Sequence, residues 1–229
     1  MVLGGCGDAP KYSSDELTGP CERQSNQTYV RTTSKSLGTP IWWPSSEINN
    51  CLTVHLDPLG TPDLPFPGAE ARILSSAIDR WQSVADECGA PFCIEYGGSM
   101  SAEEGLTFNP RGPNPHVVAF IPTAEQWAEF ESSRVIALTI TLTRPEDGRI
   151  VDSDIVINDS RYVFSHDVPL PSGTLDIESI MMHELGHMIG FEHTEDPTSI
   201  MQEGPVTALS RWELGAADKA GVCEMFACY

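Results

Sequence analysis

The stretch His183-Glu-Leu-Gly-His-Met-Ile-Gly-Phe-Glu-His193 holds three of the chain's six histidines in eleven residues, and its spacing dictates a shape. On a helix, His183 and His187 stand four residues apart on one face, so their imidazoles can converge on one tetrahedral metal ion. Glu184 is rotated about 100° from His183 and flanks that ion, where a base would act on metal-activated water. A continued helix would carry His193 about 9 Å further along the axis than His187, out of reach. The chain must therefore turn back, and Gly190 admits the left-handed conformation that such a turn needs. Three protein ligands leave a tetrahedral ion one open position, as in catalytic rather than structural zinc sites. A pattern this long arises by chance in on the order of one in 10⁴ to 10⁵ such chains. Surface histidines on an ordinary amphipathic helix are the weaker reading.

The remaining 218 residues supply a frame for that stretch. With 229 residues, 40% of them hydrophobic, the chain can bury a substantial core. No apolar run approaches the length of a membrane span. A formal charge of −20 argues against nucleic acid and anionic membrane surfaces as partners. Solubility accounts for most of that charge, with attraction of cationic substrates or of calcium as the functional alternative.

Strand, helix, several strands and terminal helices follow one another, which predicts one α+β domain with a mixed sheet. Residues 7 to about 40 are polar and aperiodic, and the compact domain is expected to begin near Ile41-Trp42-Trp43. Cys51–Asp57 alternates as a strand, and Gly68–Glu87 carries apolar residues at helical spacing. Short strands are expected around Phe92–Tyr96 and Val117–Ile121, with a helical turn at Ala124–Glu131. Val135–Thr143 and Arg149–Asn158 are the clearest strands, joined by hairpin chemistry at Glu146-Asp147-Gly148. The helix bearing the histidines should run from about Asp176, its capping residue, to Ile189. A last helix is expected near Ser210, where Ser-Arg-Trp-Glu213 fits a capping box.

Seven cysteines without a C-x-x-C pair point to disulfides and an extracytoplasmic location. Cys88 with Cys93, and Cys223 with Cys228, are each spaced to close a small loop, and Cys21 with Cys51 would make a third bridge. Connectivity itself is not readable from sequence. The odd residue is Cys6, in Leu3-Gly4-Gly5-Cys6, which resembles the lipobox of bacterial lipoproteins. That resemblance implies a lipid anchor on Cys6, although neither a charged nor an apolar signal region stands in the five residues before it. A chance match is the alternative.

The histidine stretch as a whole resembles the long zinc-binding motif of the metzincin metallopeptidases. Thr198-Ser199-Ile200-Met201, eight residues beyond His193, resembles their Met-turn, and the short spacing is most similar to matrixins. The resemblance is firm over roughly residues 135–222 and weaker back to about residue 41. It implies a zincin-like domain with a twisted mixed sheet, an antiparallel edge strand, a long active-site helix, a Met-turn and a C-terminal helix. It further implies residues 1–40 as tether or pro-segment and residues 41–229 as a catalytic domain, secreted or at the cell surface. The implied activity is zinc-dependent endopeptidase, with His183, His187 and His193 as zinc ligands and Glu184 as general base and acid. Gly190 and Met201 would support the site, and protein or peptide substrates would lie extended along Val135–Thr143. The chain is expected to be a monomer. Residues around Pro205–Ala208 would form the pocket for the side chain after the scissile bond. Two departures stand out: Glu203 occupies the place of the transition-state tyrosine of astacin-like members, and Gln202-Glu203 replaces the Tyr-Pro common in matrixins. A zinc-scaffold binding protein without turnover, or a hydrolase of a non-peptide amide or ester, is the alternative.

Other candidates read mostly as ordinary surface or core. Cys21 is placed to act as a latency thiolate, but a disulfide is the favoured reading. His166-Asp167 as a structural metal site, and Asp152 with Asp154 as calcium ligands, are each weaker than a solvated loop or strand surface. His116 carries no signal, and Trp81 and Trp127 read as packing. Asn26 and Asn158 open glycosylation sequons only in a eukaryotic setting.

Overall fold

A computed structural model describes residues 29–110, 113–131, 134–203 and 212–226. Cys6, Cys21, Asn26, Pro205–Ala208, Ser210 and Cys228 lie outside them. The elements begin with β1 (Val30–Arg31), α1 (Ser45–Ile48), β2 (Leu52–Leu56), α2 (Ala69–Cys88) and β3 (Ile94–Ser99). Next come α3 (Ala102–Gly105), β4 (His116–Ile121), α4 (Ala124–Trp127), β5 (Ala137–Thr143) and β6 (Ile150–Asn158). The last third holds β7 (Phe164–Ser165), β8 (Leu175–Asp176), α5 (Ile177–Met188), β9 (Phe191–Glu192) and α6 (Ala216–Met225).

Five strands form one sheet in the order β3-β2-β4-β6-β5. The first three neighbour pairs are parallel, and β5 runs antiparallel to β6 at one edge, in the register Thr139↔Ile155. This is the mixed sheet with an antiparallel edge expected from the sequence. The hairpin before β6 closes as its Asp-Gly chemistry requires: Gly148 has φ 75°, and the Arg149 amide donates to Asp147 Oδ1 at 2.9 Å. Strand β6 is buried along nearly its whole length, so it shows no clean alternation, and its polar residues Asp152, Ser153, Asp154 and Asn158 are buried with the apolar ones.

Helices α2 and α5 cover one face of the sheet. Ile73, Leu74, Ala77, Ile78, Trp81, Val84 and Ala85 of α2 are all buried, as the helical spacing predicts. Trp81 fixes the packing by donating its indole N–H to the carbonyl of Met182 on α5, at 3.0 Å. The second face carries a smaller cluster of Ala119, Ile121, Trp127 and Val156, against which Leu138 and Ile140 of β5 pack. Alternate residues of β5 therefore face opposite sides, and Ala137, Thr139 and Thr141 are left facing α5.

Several expectations are corrected. Cys51 pairs with Cys93, and Cys88 with Cys223, so neither small loop closes and Cys21 is not bonded to Cys51. Cys51 and Cys93 each precede a strand at the same end of the parallel pair β2–β3, where Leu52 N–H also meets the Cys93 carbonyl at 2.8 Å. Helix α6 starts at Ala216 instead of near Ser210, with the Asp218 carboxylate accepting the Gly215 amide at 2.8 Å. Asp152 and Asp154 are not on a solvated strand surface but buried, at 2% and 5% exposure. Asp154 accepts the Val117 amide at 2.9 Å, and burial pushes its carboxyl up to about 7. His116, silent in the sequence, is buried beside Asp152 and edge-on to Trp43. Asn158 is fully buried and donates to the Val135 carbonyl, so its sequon is unavailable. The folded body also takes in residues before Ile41: Tyr29 is buried against Phe191, and β1 pairs antiparallel with β9.

Candidate active site

Asp176 begins the site by capping α5, accepting the Ser179 amide at 2.8 Å. The Trp212 indole donates to the same carboxylate at 3.0 Å, tying the segment before α6 to the helix start. One face of α5 then presents His183 and His187. The helix ends at Met188, Gly190 takes φ 108°, and β9 leads directly to His193. The chain thus turns where the histidine spacing requires it.

The three Nε2 atoms converge, with separations of 3.1 Å (His183–His187), 3.1 Å (His183–His193) and 3.2 Å (His187–His193). A tetrahedral zinc with bonds of about 2.0–2.1 Å sets its ligand atoms roughly 3.3–3.4 Å apart, so the spacing fits one ion. Tautomers fit as well. His183 Nδ1 lies 2.8 Å from the Ile200 carbonyl and His187 Nδ1 lies 2.9 Å from the Phe191 carbonyl. A carbonyl only accepts, so each Nδ1 carries the proton and each Nε2 offers a bare lone pair. Burial, with the neighbouring imidazoles adding to it, lowers both rings to about 4, so they are neutral at physiological pH, as a zinc ligand must be. Among the described residues, these histidines are the one group of three or more metal-ligating side chains close enough to share an ion. His166 is instead paired with Glu178, which also binds Arg80 and Ser76.

Met201 packs against α5 at Gly186, which explains a glycine within the histidine stretch. Gly186 sits mid-helix, where glycine is unfavourable, and a Cβ there would collide with Met201 Sδ and come within 3.1 Å of Trp81. The glycine gives the methionine room to approach the helix. Asp218 of α6 holds the turn: its carboxylate accepts the Ser199 hydroxyl, the Ile200 amide at 2.9 Å and the Gly215 amide at 2.8 Å. Ser199 Oγ in turn accepts the Met201 amide at 2.9 Å. Nothing in the sequence marked Asp218, which looks like any acidic residue in a helix's first turn.

Glu184 is buried at 7% exposure, and desolvation pushes its carboxyl up to about 7, opposed by a hydrogen bond from Thr139. It opens on a cleft of 490 Å³ walled by Val135 and Ile136 before the edge strand, by residues 137–139 and Thr141 of β5, and by Ile180, Thr32 and Glu192, with the three histidines also lining it. The wall is mainly apolar, which suits an extended chain better than a compact polar ligand.

A mixed sheet, a histidine-bearing helix and a three-histidine cluster bonded to a methionine-containing turn define the metzincin class. The family model for matrixin matches residues 101–227, more than half of the chain, and the chain belongs to the matrixin family. Comparison with curated protein sequences gives no match. Membership supports a zinc metalloprotease, and the disulfides fit an extracytoplasmic setting. Among the described residues, no helix is long and apolar enough to cross a membrane.

Proposed function

We propose that this chain is a zinc-dependent endopeptidase in which His183, His187 and His193 hold the ion and Glu184 is the general base and acid. The observation that carries the reading is the set of three bare Nε2 atoms 3.1–3.2 Å apart beside a buried carboxylate. When bound, zinc supplies Lewis acidity that polarises a scissile carbonyl and makes water acidic near neutrality. Glu184 takes the proton of the attacking water and gives it to the leaving amine. Its raised carboxyl suits both halves of that task, since the driving force for either transfer is then small. The β5 edge orients the substrate, whose extended backbone adds to the sheet beside the helix. No side-chain nucleophile is required.

Cleavage of an unfolded protein substrate by wild type, by Glu184→Ala and by wild type treated with a zinc chelator tests this. Expected is turnover abolished by chelator and restored by zinc, with Glu184→Ala inert but still binding one zinc. Equal inertness of wild type and variant across a broad peptide library would instead favour a binding protein. Turnover of esters or non-peptide amides alone would favour a different hydrolase. We further infer a catalytic unit that begins by Tyr29, behind an N-terminal segment, extracytoplasmic and anchored through Cys6. Mass spectrometry of the mature N-terminus tests the anchor, because a free Cys6 thiol or an unprocessed start excludes it.

A further inference from the structure

We propose that Thr139 is a positioning residue for Glu184, holding one carboxylate oxygen so that the other faces the substrate cleft. This rests on the assignment of Glu184 as the base. Thr139 Oγ1 lies 2.7 Å from Glu184 Oε2 and 2.9 Å from the Glu184 backbone carbonyl. Among the described residues, Oε1 has no hydrogen bond of its own, so the carboxylate is held at one end and available at the other. The hydroxyl has a single proton and two acceptors within reach. While Glu184 is ionised, Thr139 donates to Oε2. A proton taken from the cleft sits on the free Oε1, and Thr139 keeps its hydrogen bond to Oε2 throughout. No buried group loses its partner in either state, and no side chain has to move.

The placement is specific to the strand. Thr139 sits in the middle of β5, paired in register with Ile155, so its backbone is fixed by the sheet and not by a loop. Its neighbours Leu138 and Ile140 pack on the opposite face, leaving the odd-numbered residues of the strand to face the helix. Ala137, Thr139 and Thr141 all line the cleft. Thr141 is already satisfied by Ser153, at 2.9 Å, so Thr139 alone of the pair is directed to the base. A residue needed only to fill that space would be apolar, as Ala137 is.

The test compares Thr139→Val, which keeps the shape and removes the hydroxyl, with Thr139→Ser, which keeps the hydroxyl. Removing a hydrogen bond to a charged group changes a rate by roughly ten- to a hundred-fold. Thr139→Val should therefore lose about ten-fold or more in kcat with KM within about two-fold, and Thr139→Ser should recover most of it. Zinc dissociation constants, measured by competition with a chromophoric chelator, and thermal midpoints should match wild type in both variants. In a Glu184→Gln background, Thr139→Val should cost little further, because the two residues act as one unit. Wild-type kcat in Thr139→Val, equal losses in the Val and Ser variants, weakened zinc binding, or a full additive loss on top of Glu184→Gln would each overturn the proposal. Full activity in Glu184→Ala would instead overturn the assignment of the base, so the two failures are distinguishable.

Discussion

Gly190 is where the histidine site makes its strongest demand on the backbone. Its φ of 108° lies beyond even the left-handed helical region, in territory that L-residues rarely enter. The residue is held there from both sides: its amide donates to the His187 carbonyl at 3.0 Å, and its carbonyl accepts the Thr32 amide at 2.9 Å. A Cβ would approach Met225 Cε to 3.2 Å, a contact that the flexible end of a methionine can relieve. The cost of substitution is therefore backbone strain, about 1–3 kcal/mol for Gly190→Ala, and more for the β-branched Gly190→Val. Where that cost appears depends on the loop. If the turn keeps its shape without metal, the apo protein loses the whole amount in stability. If the turn relaxes, the strain returns when His193 is drawn to the ion, and zinc affinity falls by roughly 5- to 150-fold. Both quantities are measurable: apo stability by urea titration, and zinc affinity by competition with a chelator. Gly173→Ala is the control, since Gly173 also has a positive φ, of 85°, with nothing near its missing Cβ and no ligand beyond it. That variant should lose stability without losing zinc affinity. If Gly190→Val left apo stability and zinc affinity both within about 0.5 kcal/mol of wild type, the turn would not depend on the glycine and the reasoning would fail.

Three further outcomes follow from the same contacts. Gly186→Ala adds helix propensity of about 1 kcal/mol but should still destabilise, because the new methyl meets Met201 and Trp81; a higher thermal midpoint would refute the packing account. Asp218→Ala strips three donors of their acceptor and should cost on the order of 3 kcal/mol in urea unfolding, with weaker zinc binding through the Ile200–His183 link. Unchanged zinc affinity in a folded Asp218→Ala protein would show that the Met-turn does not steady His183. Asp154 should make stability fall as pH rises. In the unfolded chain it ionises near 4, while in the fold burial holds the proton up to about 7, so the native state binds more protons throughout that window. Asp154→Asn removes that term and should gain roughly 2–3 kcal/mol over wild type between pH 5 and pH 7. Parallel stability curves for the two proteins would refute it.

How much of this was readable before the structure depends on whether a feature is local. The spacing of His183, His187, Gly190 and His193 is a statement about helix geometry within eleven residues, and geometry of that range survives any tertiary context. The alternating and helical patterns placed the principal strands and α2 for the same reason. Cysteine pairing is the opposite case. Cys88 and Cys223 are 135 residues apart, and they meet only because α6 packs on α2, which no local pattern encodes. The start of α6 was misplaced because Ser210–Glu213 offers capping chemistry, whereas the helix begins where Asp218 can reach both Gly215 and the Met-turn. Tertiary contact overrode a local signal there.

The same division explains which site residues escaped the sequence. Each proposed ligand histidine announces itself by chemistry and spacing, but its orientation is set at Nδ1, the nitrogen facing away from the shared Nε2 cluster. For His183 that nitrogen is held by Ile200, whose amide Asp218 fixes, and for His187 by Phe191, whose carbonyl also accepts the Thr32 hydroxyl at 2.8 Å. Glu184 is held in the same way by Thr139, from a strand 45 residues away. The supporting atoms are thus backbone carbonyls, single hydroxyls and one carboxylate, supplied by Thr32 after β1, by β5, β9, the Met-turn and α6, residue types too common to stand out. Thr139 did leave one trace. On an edge strand whose alternate residues Leu138 and Ile140 are packed in a core, the threonines mark the other face, and a polar face directed at a helix instead of at water implies a partner on that helix.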